Sequence, residues 1–109
     1  MPMQNLPRVA PGLFAVLLVV LSSNSLASNA LARKNDCLGC HAAATKLVGP
    51  AYQEVATKYA GQPDASDMLV QSMRNSSVGK WGDMPMLPHP KLAEADAKRL
   101  ATWILGGAK

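Results

Sequence analysis

A small all-α domain, with four to five short helices wrapped around something that is not protein, is what this sequence predicts. Three observations predict it. Apolar residues recur at helical spacing in several stretches, and no stretch alternates at period two for long enough to make a strand. Setting aside an N-terminal targeting segment leaves roughly 80 residues, room for one domain. That domain holds Tyr52, Tyr59, Trp81 and Trp103 as its only Phe, Tyr or Trp residues. So little aromatic mass in so short a chain calls for a disulfide, a metal or a cofactor.

The targeting segment is read from its layout. Arg8 is the only charge in the first 32 residues, and Pro11 and Gly12 lead into the apolar run from Leu13 to Leu21. Nine helical residues reach about 13 Å, well short of the roughly 30 Å hydrocarbon core. Ser22, Ser23, Asn24 and Ser25 follow, and Ser25-Leu26-Ala27 places small residues where a signal peptidase needs them. Residues 1–27 therefore read as a cleaved secretory signal peptide and residues 28–109 as one domain, exported to an oxidising compartment. No stable membrane insertion is expected of it.

The charge balance narrows the partners. Eleven Lys and Arg against seven Asp and Glu give a net charge of +4, or +3 once Arg8 is removed. These charges are dispersed, with no basic run, which argues against nucleic acid.

The elements follow in order. Ser28 or Asn29 is expected to cap a short helix over 30–35. Gly49-Pro50 opens a second helix, with Pro50 near its first position. Tyr52, Val55, Ala56 and Tyr59 form its apolar face, and Gly61 ends it. Ser66 is expected to cap a third helix carrying Leu69, Val70 and Met73. Asn75 to Gly79 reads as loop, and Pro85, Pro88 and Pro90 forbid regular structure between Trp81 and Lys91. A last helix runs from about Leu92 to Leu105. Ala93, Ala97, Leu100, Ala101 and Ile104 share one of its faces, and Gly106-Gly107 stops it.

One motif carries chemistry. Cys37-Leu38-Gly39-Cys40-His41 is C-x-x-C-H, the attachment signature of c-type haem. Cysteines three apart on a helical turn face one side, so both thiols can add to the vinyl groups along one porphyrin edge. His41 then reaches the iron. Competing readings are weaker. A thioredoxin-like pair needs a preceding strand in a βαβ setting. A zinc site finds only His41 and His89 to complete it. A plain disulfide is the third reading, and the helical surroundings in an exported chain favour haem over all three. A sixth iron ligand can come from Met68, Met73, Met84, Met86 or His89. Met68 and Met73 lie on a helix, where core packing accounts for them. The proline-stiffened loop Met84-Pro85-Met86 is suited to holding a thioether, and local physics leaves both methionines open.

Taken with Lys46 to Tyr52, Tyr59 to Gln62, Trp81 to Met86 and Leu100 to Leu105, this motif makes the chain resemble the class I c-type cytochromes, specifically the small bacterial cytochrome c-551/c-552 family. The resemblance covers the whole domain. It implies one haem c, attached through Cys37 and Cys40, with His41 and Met86 on the iron. It implies that the Pro50 carbonyl accepts from His41 Nδ1 and that the Trp81 indole reaches a haem propionate. Met84 then packs on the haem face. Two departures stand out: Ser72 occupies a position where the family can carry a basic residue for the propionates, leaving Arg74 or Lys80 to compensate. The loop after Met86 is also about one residue longer, placing His89 near the ligand. The implied role is a monomeric periplasmic carrier of one electron, with no catalytic constellation. Its implied partners are a cytochrome bc complex, an azurin-like copper protein, nitrite reductase or a terminal oxidase, docking on a rim with Lys34, Lys46 and Lys80. The rival functions are a haem enzyme or gas-binding protein with a labile methionine, and a thiol-disulfide oxidoreductase.

Overall fold

The computed structural model describes residues 24–109, together with Asn5 and Pro7. The apolar run Leu13–Leu21 lies outside the described residues. Helix α1 covers 24–34, α2 is Tyr52–Tyr59, α3 is Ala65–Asn75 and α4 is Glu94–Leu105. A single 3₁₀ turn, Cys37–Gly39, stands between α1 and α2. The described residues contain no strand, only isolated antiparallel bridges between His41 and Lys46 and between Ser77 and Met86. The all-α class is as expected.

The apolar spacing does what it predicts. Tyr52, Val55 and Tyr59 of α2 are buried, as are Leu69, Val70 and Met73 of α3. Both helices pack against α4, which buries Ala97, Leu100, Ala101, Trp103 and Ile104. Ala65, Leu92 and Ala32 complete this core. Met73 is a core residue and Met68 packs at its edge, so neither needs a role at a metal.

The helix starts differ from expectation, and the reason is physical. Ser28 and Asn29 do not cap α1; both lie within it, and Ser28 is buried. The helix already runs through Asn24 to Ala27, so the N–H groups of Ala30 and Leu31, which a cap at Ser28 would serve, fall to carbonyls one turn earlier. Ser66 does not cap α3, which begins one residue earlier after Asp64. Asp67 in its first turn supplies the negative charge favoured there. Pro50 stands just outside α2, whose capping residue is Ala51. Likewise α4 begins at Glu94, leaving Ala93 at the cap position and exposed. Its end is as read: the Gly106 and Gly107 N–H groups close back on Thr102 and Ile104.

The end of α3 sets the direction of the next loop. Ser76 adopts φ 85° and ψ 163°, a region that is essentially glycine-only. Its hydroxyl donates to the Met86 carbonyl at 2.6 Å. Ser76→Ala should keep the strained backbone and lose that bond, costing about 1 kcal/mol. Ser76→Gly should lose the bond but relieve the strain, leaving it about 1 kcal/mol more stable than the alanine variant. Guanidinium midpoints at unchanged slope check the ordering.

Candidate haem site

The C-x-x-C-H segment forms one tight turn. Asp36 enters it in the left-handed conformation, φ 60°. The Cys37 carbonyl then accepts from both Cys40 N–H, at 3.2 Å, and His41 N–H, at 2.9 Å. In a 3₁₀ turn residues three apart eclipse, so Cys37 and Cys40 share a face more closely than on an α-helix. Both cysteines are free. Burial pushes the Cys37 thiol up from its ordinary value. A redox-active cysteine is held low instead, so this environment disfavours the disulfide-exchange reading. Among the described residues no group of three or more His, Cys, Asp or Glu side chains is arranged to hold a metal.

His41 is constrained on several sides. Its Nδ1 lies 2.8 Å from the Pro50 carbonyl oxygen. A carbonyl only accepts, so Nδ1 carries the proton and Nε2 keeps a lone pair for a metal. Gly49 sits tight against the ring. A methyl group there would collide with Cε1 and come within 2.9 Å of Nδ1 and 3.0 Å of Nε2. Tyr52 stacks on the imidazole, centroids 5.1 Å apart and planes 17° apart. Burial and the adjacent Cys37 push the Tyr52 phenol above its ordinary value, so it stays neutral. Sequence reasoning assigned Tyr52 only to the apolar face of α2 and gave Gly49 no role beyond the helix start. The signal for Gly49 was its place before Pro50, where the backbone comes closest to His41.

The methionine loop is pinned at one end. Met86 exchanges backbone hydrogen bonds with Ser77, 2.8 Å and 3.3 Å, and also receives the Ser76 hydroxyl. Met86 is half-buried and packs on the core, whereas Met84 is 64% exposed. The two methionines that sequence alone leaves open therefore differ in surroundings. His89 donates its N–H to the Met73 carbonyl at 2.8 Å, which anchors the far end of the loop on α3.

Trp81 is half-buried at the edge of the core, with Lys58 Nζ 4.3 Å above its ring. That ammonium also donates to the Lys80 carbonyl at 2.6 Å. Lys80 Nζ in turn reaches the Ser72 hydroxyl at 3.2 Å, so the chain places an ammonium beside the position where a basic residue is missing. Arg74 Nε is buried with no partner among the described residues, a donor available to a carboxylate. Lys58 was not singled out from sequence, because its partner is a tryptophan 23 positions away.

Side chains around these two loops leave apolar surface exposed: Leu47, Val48, Val78, Met84 and Leu87. Together with two free thiols on one turn, an imidazole with Nε2 available, a half-buried thioether on a backbone-pinned loop and spare cationic donors, they fit a porphyrin with an iron and two propionates.

The cytochrome c family model matches residues 26–108. The chain is 43% identical over 94 residues to cytochrome c-552 of Nitrosomonas europaea, covering 86% of this chain and 91% of that one. It is 39% identical to cytochrome c-551 of Pseudomonas aeruginosa, covering 84% and 94% of the two chains. The crystal structure of wild-type Nitrosomonas europaea cytochrome c552 superposes with a TM-score of 0.70 at 46% identity, over 72% of this chain and 96% of that chain.

Gly49→Ala should destabilise the fold by about 1–3 kcal/mol, since the added methyl must displace either the backbone or the His41 ring. A denaturant titration beside the parent protein checks it. A midpoint within error of the parent would mean that the ring yields freely.

Proposed function

The chain belongs to the cytochrome c family, and from that premise we propose that it shuttles single electrons in the periplasm on a haem held between His41 and Met86. That it is a haem c electron-transfer protein follows from the family; the ligand pair, the compartment and the partners are this proposal. When bound, the haem supplies a reversible one-electron couple at iron. The protein holds, orients and insulates it. Cys37 and Cys40 are the attachment thiols, each adding as S–H across a vinyl group to form a thioether.

The observation that carries the reading is the His41 Nδ1 contact with Pro50. A backbone acceptor on Nδ1 fixes the tautomer, aims Nε2 and raises its donor strength, as partners of ligating histidines generally do. Met86 is favoured over Met84 because its backbone is held on both sides and its side chain meets the core. A soft thioether favours ferrous iron and raises the potential. Trp81, Lys80 and Arg74 are assigned to the propionate side. The role is carriage rather than catalysis, since both axial positions are assigned to protein side chains.

The compartment is inferred from the N-terminal sequence. Cleavage after Ala27 would leave residues 28–34 of α1 to open the domain. Among the described residues no helix is long and apolar enough to cross a membrane. Lys34, Lys46 and Lys80 are exposed, and the only ion pair among the described residues is Lys98–Glu94. These unpaired lysines suit partners with acidic docking patches, in brief encounters of small area. The candidates are a cytochrome bc complex, an azurin-like copper protein, nitrite reductase or a terminal oxidase.

Two variants test the ligand. Met86→Ala should lose the charge-transfer band of methionine-bound ferric iron, and its potential should fall far more than that of Met84→Leu. Met84→Leu should keep the band and change stability by less than about 0.5 kcal/mol, as an exposed and similar-sized replacement. The reverse pattern would move the ligand to Met84. A pyridine haemochrome spectrum showing no covalently bound haem would remove the reading altogether.

A further inference from the structure

We propose that Tyr52 is the positioning residue that fixes the rotation of the His41 imidazole about its bond to the iron. The inference rests on His41 being the ligand. The contact with Pro50 holds one ring atom at 2.8 Å. Together with the bond to iron this contact sets the ring plane only loosely, because a hydrogen bond tolerates tens of degrees of bending and the ring can rock within that range. Two further contacts remove this freedom. Gly49 crowds Cε1, Nδ1 and Nε2 so closely that even a methyl does not fit. Tyr52 lies nearly parallel to the imidazole, 17° between planes and 5.1 Å between centroids. Of the two, only a planar ring defines a plane.

A positioning residue must itself be fixed, and Tyr52 is. It is 4% exposed, and Trp103 meets it edge-on with centroids 5.5 Å apart and planes at 66°. Its backbone N–H donates to the Ala42 carbonyl at 2.9 Å, so the first residue of α2 is tied to the residue that follows the ligand. The imidazole plane is thereby referred, through Tyr52 and Trp103, to α4.

The consequence is electronic. Rotation of an axial imidazole decides which of the two π-type iron d orbitals meets the ring's π system. It therefore decides how unpaired spin spreads over the porphyrin in the ferric state. Outer contacts that orient a ligand tune the metal in this way.

Proton NMR of the ferric holoprotein reads that spread directly, as the contact-shifted resonances of the four haem methyl groups. Tyr52→Phe keeps a planar ring and should leave their order and range as in the parent. Tyr52→Leu removes the plane, so the imidazole samples several rotations, and the range of methyl shifts should narrow or their order change. Should Tyr52→Leu not accumulate as holoprotein, Tyr52→Met carries the same expectation with a longer side chain. In each variant the methionine charge-transfer band must persist and the bound methionine's own proton shifts must match the parent's, which together show the other axial side unaltered. Leu or Met variants with the parent's methyl pattern would overturn the proposal. A Phe variant as altered as the Leu variant would also overturn it, since the hydroxyl and not the ring would then be responsible. A parent protein without a low-spin, histidine-ligated spectrum would instead bring down the ligand reading, and this inference with it. A normal parent spectrum with an unresponsive Tyr52→Leu brings down this inference alone.

Discussion

The hydrogen bond from His41 Nδ1 to the Pro50 carbonyl closes a loop on which the other half of the molecule is built. The chain between them folds back on itself. Gly49 donates its N–H to the Cys40 carbonyl at 2.8 Å, and Leu47 donates to Gly49 at 3.2 Å. Tyr52 and Gln53 then donate to the carbonyls of Ala42 and Ala43. Those two donors are among the first N–H groups of α2, which no earlier turn of that helix can satisfy. Ala51 provides no side-chain cap, and none is needed. The cap of α2 is the backbone that follows His41, so the helix cannot begin elsewhere without releasing that residue.

The methionine arm is built on a different device with the same result. Here the chain leaves α3 through a strained serine, and the strain persists because three hydrogen bonds converge on Met86 from Ser76 and Ser77. His89 ties the far side of the loop to Met73. Lys58 of α2 reaches across to Trp81 and the Lys80 carbonyl, and beneath that contact the two arms are joined through α4, against which both α2 and α3 pack. A close-packed wall transmits displacement rather than absorbing it. The separation of the His41 turn and the Met86 loop is thus set through the buried face of α4, which carries Leu100 and Ile104.

The sequence was legible wherever the governing interaction is local. Period 3.6 located α2, α3 and α4, and Gly106 and Gly107 ended the last of these, because the burial of one helix face and the need for a flexible stop are written in neighbouring residues. The C-x-x-C-H turn was legible for the same reason. The starts of helices were not. Ser28, Asn29 and Ser66 are good capping residues by type, yet in each case other groups had already met the need they would serve. Those groups are the upstream turn of α1 and, in α3, the Asp64 carbonyl that takes the Met68 N–H; α2 likewise relies on carbonyls ten residues back. Gly49, Tyr52, Ser77 and Lys58 were missed as site residues because their roles consist of distances to residues 8 to 23 positions away. Met84 and Met86 could not be separated by type or by proline spacing. Their difference is one of burial and backbone pairing, which only the folded loop possesses.

An electron carrier has to change the charge on its metal while moving little else, since every atom that must move adds to the barrier. The arrangement described here meets that demand mainly with backbone groups. His41 is held by a carbonyl, a glycine that admits no methyl and a ring braced by a second ring. Met86 is held by its own amide and carbonyl. Side chains such as Lys58, Lys80 and Arg74 remain for the charged periphery, where screening makes each contribution small and replaceable. The division has a consequence for substitution. A surface lysine can be exchanged at little cost to the iron. Gly49, Tyr52 and Ser76 bear on backbone geometry or ring orientation within the two arms, so changes there should reach the metal even though none of them is placed on it.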